Sequence, residues 1–356
     1  MKLDFLDYIF EAGEGPRIPH PEDSIFAGSA AAAKMIQALK EVIAKPGAGS
    51  IKWDGGIALF FGYDPAGKFF INDKYMPEGF YAHSPADWQR YDTEMKRSKT
   101  ARTDLYPKLA AIWEGLKASV TEQSVFKGDL MWTGELQPVQ GKYVFKPTTV
   151  EYRIPVDSTI GKLIPGKAGG IVVHQKDGSP WDGKSGLVNA GNVVIISPKA
   201  GIEFRLKNPV RLLADAEKAV ATQGPLADKF LAGMDGVAKS AVQTYMNKKI
   251  TNQTQDEITT WIMNSSISAK QKKLLVGDNQ GGYLYRDPRG LTALFAVWNA
   301  IYRLKDNLCQ QLETQVKGFE QWTGGQPAGE GFVFPTSQGL IKLVNRAVFG
   351  GAHFNK

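Results

Sequence analysis

Lys52, Asp54 and Gly55 stand together in the run Ser50-Ile51-Lys52-Trp53-Asp54-Gly55-Gly56-Ile57. An amine attacks phosphorus only when it is deprotonated and held in line with the leaving group. A strand end would fix its position, and burial or nearby cations would lower its pKa. Gly55 and Gly56 would let a nucleotide approach the backbone closely. A covalent lysyl–nucleotide intermediate needs these parts. Taken alone, the tetrapeptide K-x-D-G also reads as a surface lysine at a strand end, so the weight falls on its partners.

Three further segments offer partners. Ser124-Val125-Phe126-Lys127-Gly128-Asp129-Leu130-Met131 is an apolar strand that brings the carboxylate of Asp129 beside a glycine. Glu330-Gly331-Phe332-Val333-Phe334 opens another apolar strand with a carboxylate. Leu340-Ile341-Lys342-Leu343-Val344 holds a lysine between branched apolar residues, a costly place unless the side chain reaches an edge or a site.

The elements that must position these residues follow from pattern. Turn signals at Gly13, Gly15, Pro16, Pro19 and Pro21 predict an irregular start. Ser29 caps a helix to about Ala44, stopped by Pro46 and Gly47. Residues 51–61 read as one strand, 68–72 as its return, and 85–117 as two helices broken near Pro107. Short β runs follow at 125–132, 142–145, 149–155, 170–174, 193–197 and 201–206, punctuated as in an antiparallel sheet. From 210 to about 319 the spacing turns helical, as in Leu226/Phe230/Met234 and Leu291/Leu294/Phe295/Trp298/Ile301/Leu304/Leu308. Strand pattern resumes after Gly324-Gly325-Gln326-Pro327. The chain therefore divides into a β-rich part over 1–209, a helical insertion over 210–322 and a β-rich remainder over 323–356.

Composition narrows the chemistry. A single cysteine, Cys309, leaves no intramolecular disulfide and no cysteine zinc cluster, and His20, His83, His174 and His353 lack metal-ligand spacing. No apolar run reaches membrane-spanning length, and the N-terminus lacks a signal-peptide core. A cytoplasmic protein with no membrane partner is the expectation. The net charge of +7 favours a polyanion such as nucleic acid, or reflects a basic solvated surface.

Taken in order, K-x-D-G, G-D-L, E-G-F-V-F and I-K-L-V resemble motifs I, III, IV and V of the covalent nucleotidyltransferase superfamily. That family comprises ATP-dependent DNA ligases, RNA ligases and mRNA-capping enzymes. Val150-Glu151-Tyr152-Arg153-Ile154-Pro155 looks similar to motif IIIa, and the whole chain resembles proteins of large tailed phages that carry these motifs. The resemblance implies an α+β fold, an antiparallel β-rich nucleotidyltransferase core (ATP-grasp-like, as in ligases) with the helical block inserted. It implies that Lys52 attacks the α-phosphate of ATP, and that Lys342 contacts that phosphate and lowers the pKa of Lys52. Ile51, Asp54, Gly55, Lys74, Asp129 and Arg346 would contact the nucleotide, with Tyr152 stacked on adenine. Glu330 and Asp129 would serve Mg²⁺ or Mn²⁺. The AMP would pass to a nucleic-acid 5′-phosphate, and a 3′-hydroxyl would seal the ends.

Some positions depart from the pattern. Ile57 stands where ligases carry arginine, and Lys68 or Lys74 is the substitute for an arginine of motif Ia. Gly134-Glu135-Leu136 is a second candidate for motif III. Val344 replaces a second lysine of motif V, with Arg346 as compensation. An RNA-ligase-like enzyme is favoured over DNA nick sealing. The alternative is a nucleic-acid-binding or virion-associated protein that keeps the ligase fold without turnover. Of the remaining polar residues, His174 reads as a satisfied strand-end histidine. Tyr285-Arg286-Asp287-Pro288-Arg289-Gly290, with Tyr283 before it, reads as a nucleic-acid contact or an interhelix loop.

Overall fold

Alternate residues of Ile57–Tyr63 face different neighbours. Leu59 and Phe61 join Phe126, Leu130, Ile171 and Val173 in one apolar cluster, and Phe60 joins Phe70 and Val125 in another. A period of two makes a sheet with two distinct faces. The computed structural model describes residues 18–77, 79–95, 103–248 and 253–346. The turn signals at Gly13, Gly15 and Pro16, and His353, fall outside them.

The strands are β1 (Ser50–Ile51), β2 (Ile57–Tyr63), β3 (Phe69–Asp73), β4 (Val125–Thr133), β5 (Lys142–Phe145), β6 (Val150–Pro155), β7 (Gly169–Lys176), β8 (Ser179–Pro180), β9 (Val193–Ile196), β10 (Glu320–Thr323), β11 (Gln326–Pro327), β12 (Phe332–Thr336) and β13 (Gly339–Leu343). The helices are α1 (Ser29–Ala44), α2 (Pro85–Glu94), α3 (Leu105–Ser119), α4 (Val210–Ala232), α5 (Gly236–Lys248), α6 (Gln255–Asn264), α7 (Ala269–Leu275), α8 (Tyr283–Arg286) and α9 (Pro288–Glu313). The chain is mixed α+β with mainly antiparallel sheets. Among the described residues no helix is long and apolar enough to cross a membrane.

Two compact units result. The first holds residues 51–202 and 316–327 of the described chain. Its larger sheet runs β3-β2-β4-β7-β8, with β9 parallel to β7 and every other pair antiparallel. Trp88 of α2 and Leu109, Ile112 and Leu116 of α3 cover one face of it. Its second sheet, β11-β10-β6-β5, is wholly antiparallel.

The second unit holds residues 18–50, 203–315 and 328–346. Its long helix α9 starts on Asp287, whose side chain caps the Gly290 N–H, with Pro288 at the first position. Leu291, Leu294, Trp298, Ile301, Leu304 and Leu308 are all buried, as their spacing predicts. Lys305 on this helix is fully buried. Its ammonium donates to the Val344 carbonyl at 2.7 Å and stands 3.2 Å from Glu22.

Several elements differ from the sequence reading. Residues 51–61 are not one strand, since 52–55 have no regular structure and β2 starts at Ile57. Pro107 does not break a helix, because α3 begins at Leu105 and a proline in the first turn removes no helical hydrogen bond. Leu226 is 41% exposed, and Ala227, Phe230 and Leu231 form the buried face of α4 instead. The run 201–206 makes no strand. There the Gln315 and Gln311 side chains of the second unit bond the backbone of Arg205 and Lys207, taking the place of a neighbouring strand. The chain returns to the first unit at Val316, and β10 then pairs with β6. Tyr283–Arg286 is a helical turn leading into α9.

Candidate functional site

The strand β4 carries Asp129 on the face that its neighbours Ala58 and Val172 share. Gly55 reaches this strand from the side. A Cβ on Gly55 would lie 2.5 Å from the Asp129 Cβ and 2.9 Å from the Leu130 carbonyl oxygen, so only glycine fits there. The neighbouring Gly56 N–H donates to that same Leu130 carbonyl at 2.8 Å. Two motifs more than seventy residues apart in sequence thus share one wall.

That wall belongs to a cleft of about 870 Å³ in the first unit. Asp54, Gly55, Lys74 and Asp129 line it, as do Asp73, Tyr75, Lys108 and Lys146, which the sequence reading did not select. Three lysines and three aspartates suit a phosphate-bearing ligand that brings a divalent cation. Lys52, two residues before Asp54, is half-buried and is not among the lining residues. Between them Trp53 turns inward, stacking on Tyr152 at 5.0 Å and on Phe319 at 4.4 Å between ring centroids. The loop is pinned again at Asp54. Its N–H donates to the Tyr152 hydroxyl at 2.8 Å, and its carboxylate accepts from the Thr148 hydroxyl.

Tyr152 is therefore not a base platform. Its ring is fully buried and lies nearly parallel to both Trp53 and Phe145. Its hydroxyl anchors the lysine loop instead. Ile51 is likewise a core residue, with its N–H donating to the Pro198 carbonyl at 2.8 Å. Lys68 follows the turn at Asp64, whose carboxylate accepts from its N–H at 2.8 Å. Leu136 lines the cleft from the alternative Gly134-Glu135-Leu136 segment, but of the two candidate carboxylates for motif III Asp129 lines it and Glu135 does not.

Glu330, Lys342 and Arg346 belong to the second unit. Gly331 has φ +87, and a Cβ there would meet the Leu343 carbonyl oxygen at 2.0 Å, so this glycine is needed to enter the β12–β13 hairpin. Glu330 beside it is buried. Lys342 pairs with Val333, half-buried between the buried Ile341 and Leu343. Arg346 does not stand ready for a nucleotide. Its guanidinium is buried against Glu22 at 3.2 Å and Asp23 at 2.6 Å, a structural ion-pair network.

Two residues near Asp129 are not among the site residues selected from sequence, where His174 reads as a satisfied strand-end histidine. His174 on β7 places Nε2 3.2 Å from the Asp129 Oδ2. Only the β4–β7 register brings them together, and no sequence spacing carries it. Lys127 lies two residues before Asp129 with its ammonium 5.4 Å from the Phe60 ring. Burial pushes the Lys127 pKa down, Asp129 opposes that shift, and Lys74 adds to it.

Among the described residues no group of three or more His, Cys, Asp or Glu side chains is placed to hold a metal. Mg²⁺ bound with nucleotide phosphates takes only one or two carboxylates. Asp54, Asp73 and Asp129 are the carboxylates on the cleft wall.

A family described as a family of unknown function (DUF6267) matches residues 17–186 and 214–356. No curated protein and no solved structure matches.

Proposed function

The chain belongs to this family of unknown function, and from its own residues we propose that it is an ATP-dependent polynucleotide ligase, RNA-ligase-like in kind. The cleft takes ATP with Mg²⁺ or Mn²⁺. The amine of Lys52 attacks the α-phosphorus, a P–N bond forms, the P–O bond to pyrophosphate breaks, and the nitrogen gives up its proton to solvent. Lys74, Lys108 and Lys146 offset phosphate charge, and Asp73 and Asp129 serve the cation. The AMP then passes to a 5′-phosphate end of nucleic acid. The observation that supports this reading is the seat of Gly55 against Asp129, which puts Asp54 and Gly55 of the K-x-D-G loop and Asp129 of the G-D-L strand on one cleft wall, with Lys52 two residues from that wall.

Incubation with α-labelled ATP and either cation tests it. The protein should acquire a covalent label that Lys52→Ala abolishes. A folded preparation that stays unlabelled removes the enzyme reading.

A second reading has an observation in its favour. Tyr152 and Arg346, two expected nucleotide contacts, are used in packing and ion pairs, and Ile57 and Val344 stand where the ligases that the motifs resemble carry cations. A nucleic-acid-binding or virion-associated protein that keeps the fold without turnover fits those facts. It binds nucleic acid and takes no label.

A further inference from the structure

With Tyr152 buried, a nucleotide in this cleft needs another ring for its base. Three aromatic side chains line the cleft: Tyr75, Trp132 and Phe145. Trp132 and Phe145 are each only 6% exposed and pack on one another at 4.8 Å, with Phe145 also against Tyr152. Tyr75 is 60% exposed.

A single exposed ring is ordinary on a protein surface, so exposure alone decides nothing. Placement does. Tyr75 sits on the turn that follows β3, and that turn is fixed. Its N–H donates to the Asp73 Oδ1 at 2.8 Å, and its carbonyl accepts from the Tyr91 hydroxyl at 3.2 Å. Met76, the next residue, is in the core. A tyrosine on a fixed backbone has only two side-chain torsions to order when a ligand stacks on it. Beside it, the Lys74 ammonium stands 4.9 Å from the ring centroid, and Lys74 and Lys108 line the same cleft.

We propose that Tyr75 is the platform on which the base of the bound nucleotide stacks. The base takes the ring face that the Lys74 ammonium holds in this structure. Lys74 is thereby released to pair with the phosphates of the same ligand. A flat π-face next to a lysine ammonium recognises a nucleobase joined to a polyphosphate. The inference rests on the nucleotide reading of the cleft.

Calorimetric titration of the full chain with Mg-ATP and, separately, with Mg-tripolyphosphate tests it in the wild type, Tyr75→Ala and Tyr75→Phe. Tyr75→Ala should weaken ATP binding about 5- to 150-fold, the span of one base–aromatic stack. Its affinity for tripolyphosphate should not change, and Tyr75→Phe should bind both as the wild type does. If Tyr75→Ala binds ATP as the wild type does, the platform is overturned and the nucleotide cleft stands. If it loses both ligands equally, Tyr75 does not act through the base and the platform is overturned. A wild type that binds neither ligand overturns the nucleotide reading and this inference with it. A melting curve of Tyr75→Ala checks its folding, which an exposed ring should leave intact.

Discussion

Gly55 carries no functional group, yet its side of β4 is where the candidate chemistry comes together. A methyl group there would meet the Asp129 Cβ at 2.5 Å and the Leu130 carbonyl oxygen at 2.9 Å. Both belong to a central strand of the larger sheet, so neither yields freely. Gly55→Ala should therefore destabilise the protein by about 1–3 kcal/mol through overpacking, read as a lowered urea midpoint. It should also displace the lysine loop, so any nucleotide affinity falls with it. Tyr152 supports the same loop from the other side. Tyr152→Phe keeps the ring stack and removes only the oxygen that accepts from the Asp54 N–H. The expected loss is about 1–3 kcal/mol, the cost of stranding a donor, measured by the same denaturation. A phenylalanine as stable as the wild type would mean that the hydroxyl anchors nothing.

At the scale of elements, α9 joins the buried charges of the second unit, and one of them sets a pH dependence. Burial holds the Glu313 carboxyl above its ordinary value of 4.5, while hydrogen bonds from Cys309 and Asn345 pull it down less strongly. As pH rises past 4.5, the unfolded chain loses this proton before the folded one does, so the contribution of Glu313 to stability falls through that window. Asp306, also raised chiefly by burial, acts in the same direction. Glu313→Gln should thus raise the melting temperature at pH 7, and the gain should vanish below pH 4.5. A gain that grows in acid would reverse the assignment.

Elements were also what the sequence revealed best. The helical spacing of Leu291 to Leu308 and the alternation in β6 are local signals, and the structure follows them. What lies between 51 and 57, and along 201–206, depends on partners far away in sequence, which no local pattern contains. The site divides along the same line. Asp54, Gly55, Lys74 and Asp129 were legible as motif residues and do share the cleft. Tyr152 was legible as an aromatic strand residue, but which face it shows depends on Trp53 and Phe145 packing against it. His174 became visible only through the β4–β7 register.

At the scale of the whole molecule, the chain crosses between its two compact units several times. Cys309, the single cysteine, lies fully buried on α9 in the second unit, and burial pushes its thiol well above the ordinary range. A neutral, enclosed thiol is unreactive. Thiol reagents should therefore modify the native protein only as fast as this unit opens, with rates that climb steeply in denaturant. Rapid modification in buffer would contradict the packing around α9. The net charge of +7 bears on the proposed nucleic-acid partner, whose binding should weaken as salt rises.

The central claim concerns one bond, between the Lys52 nitrogen and the α-phosphorus of ATP. Intact-protein mass spectrometry after incubation with ATP and Mg²⁺ or Mn²⁺, followed by peptide mapping, reads that bond directly. A mass gain of one AMP is expected on the peptide that carries Lys52, absent from Lys52→Ala. Folded protein with no adduct, or with its adduct on another lysine such as Lys127, would contradict it.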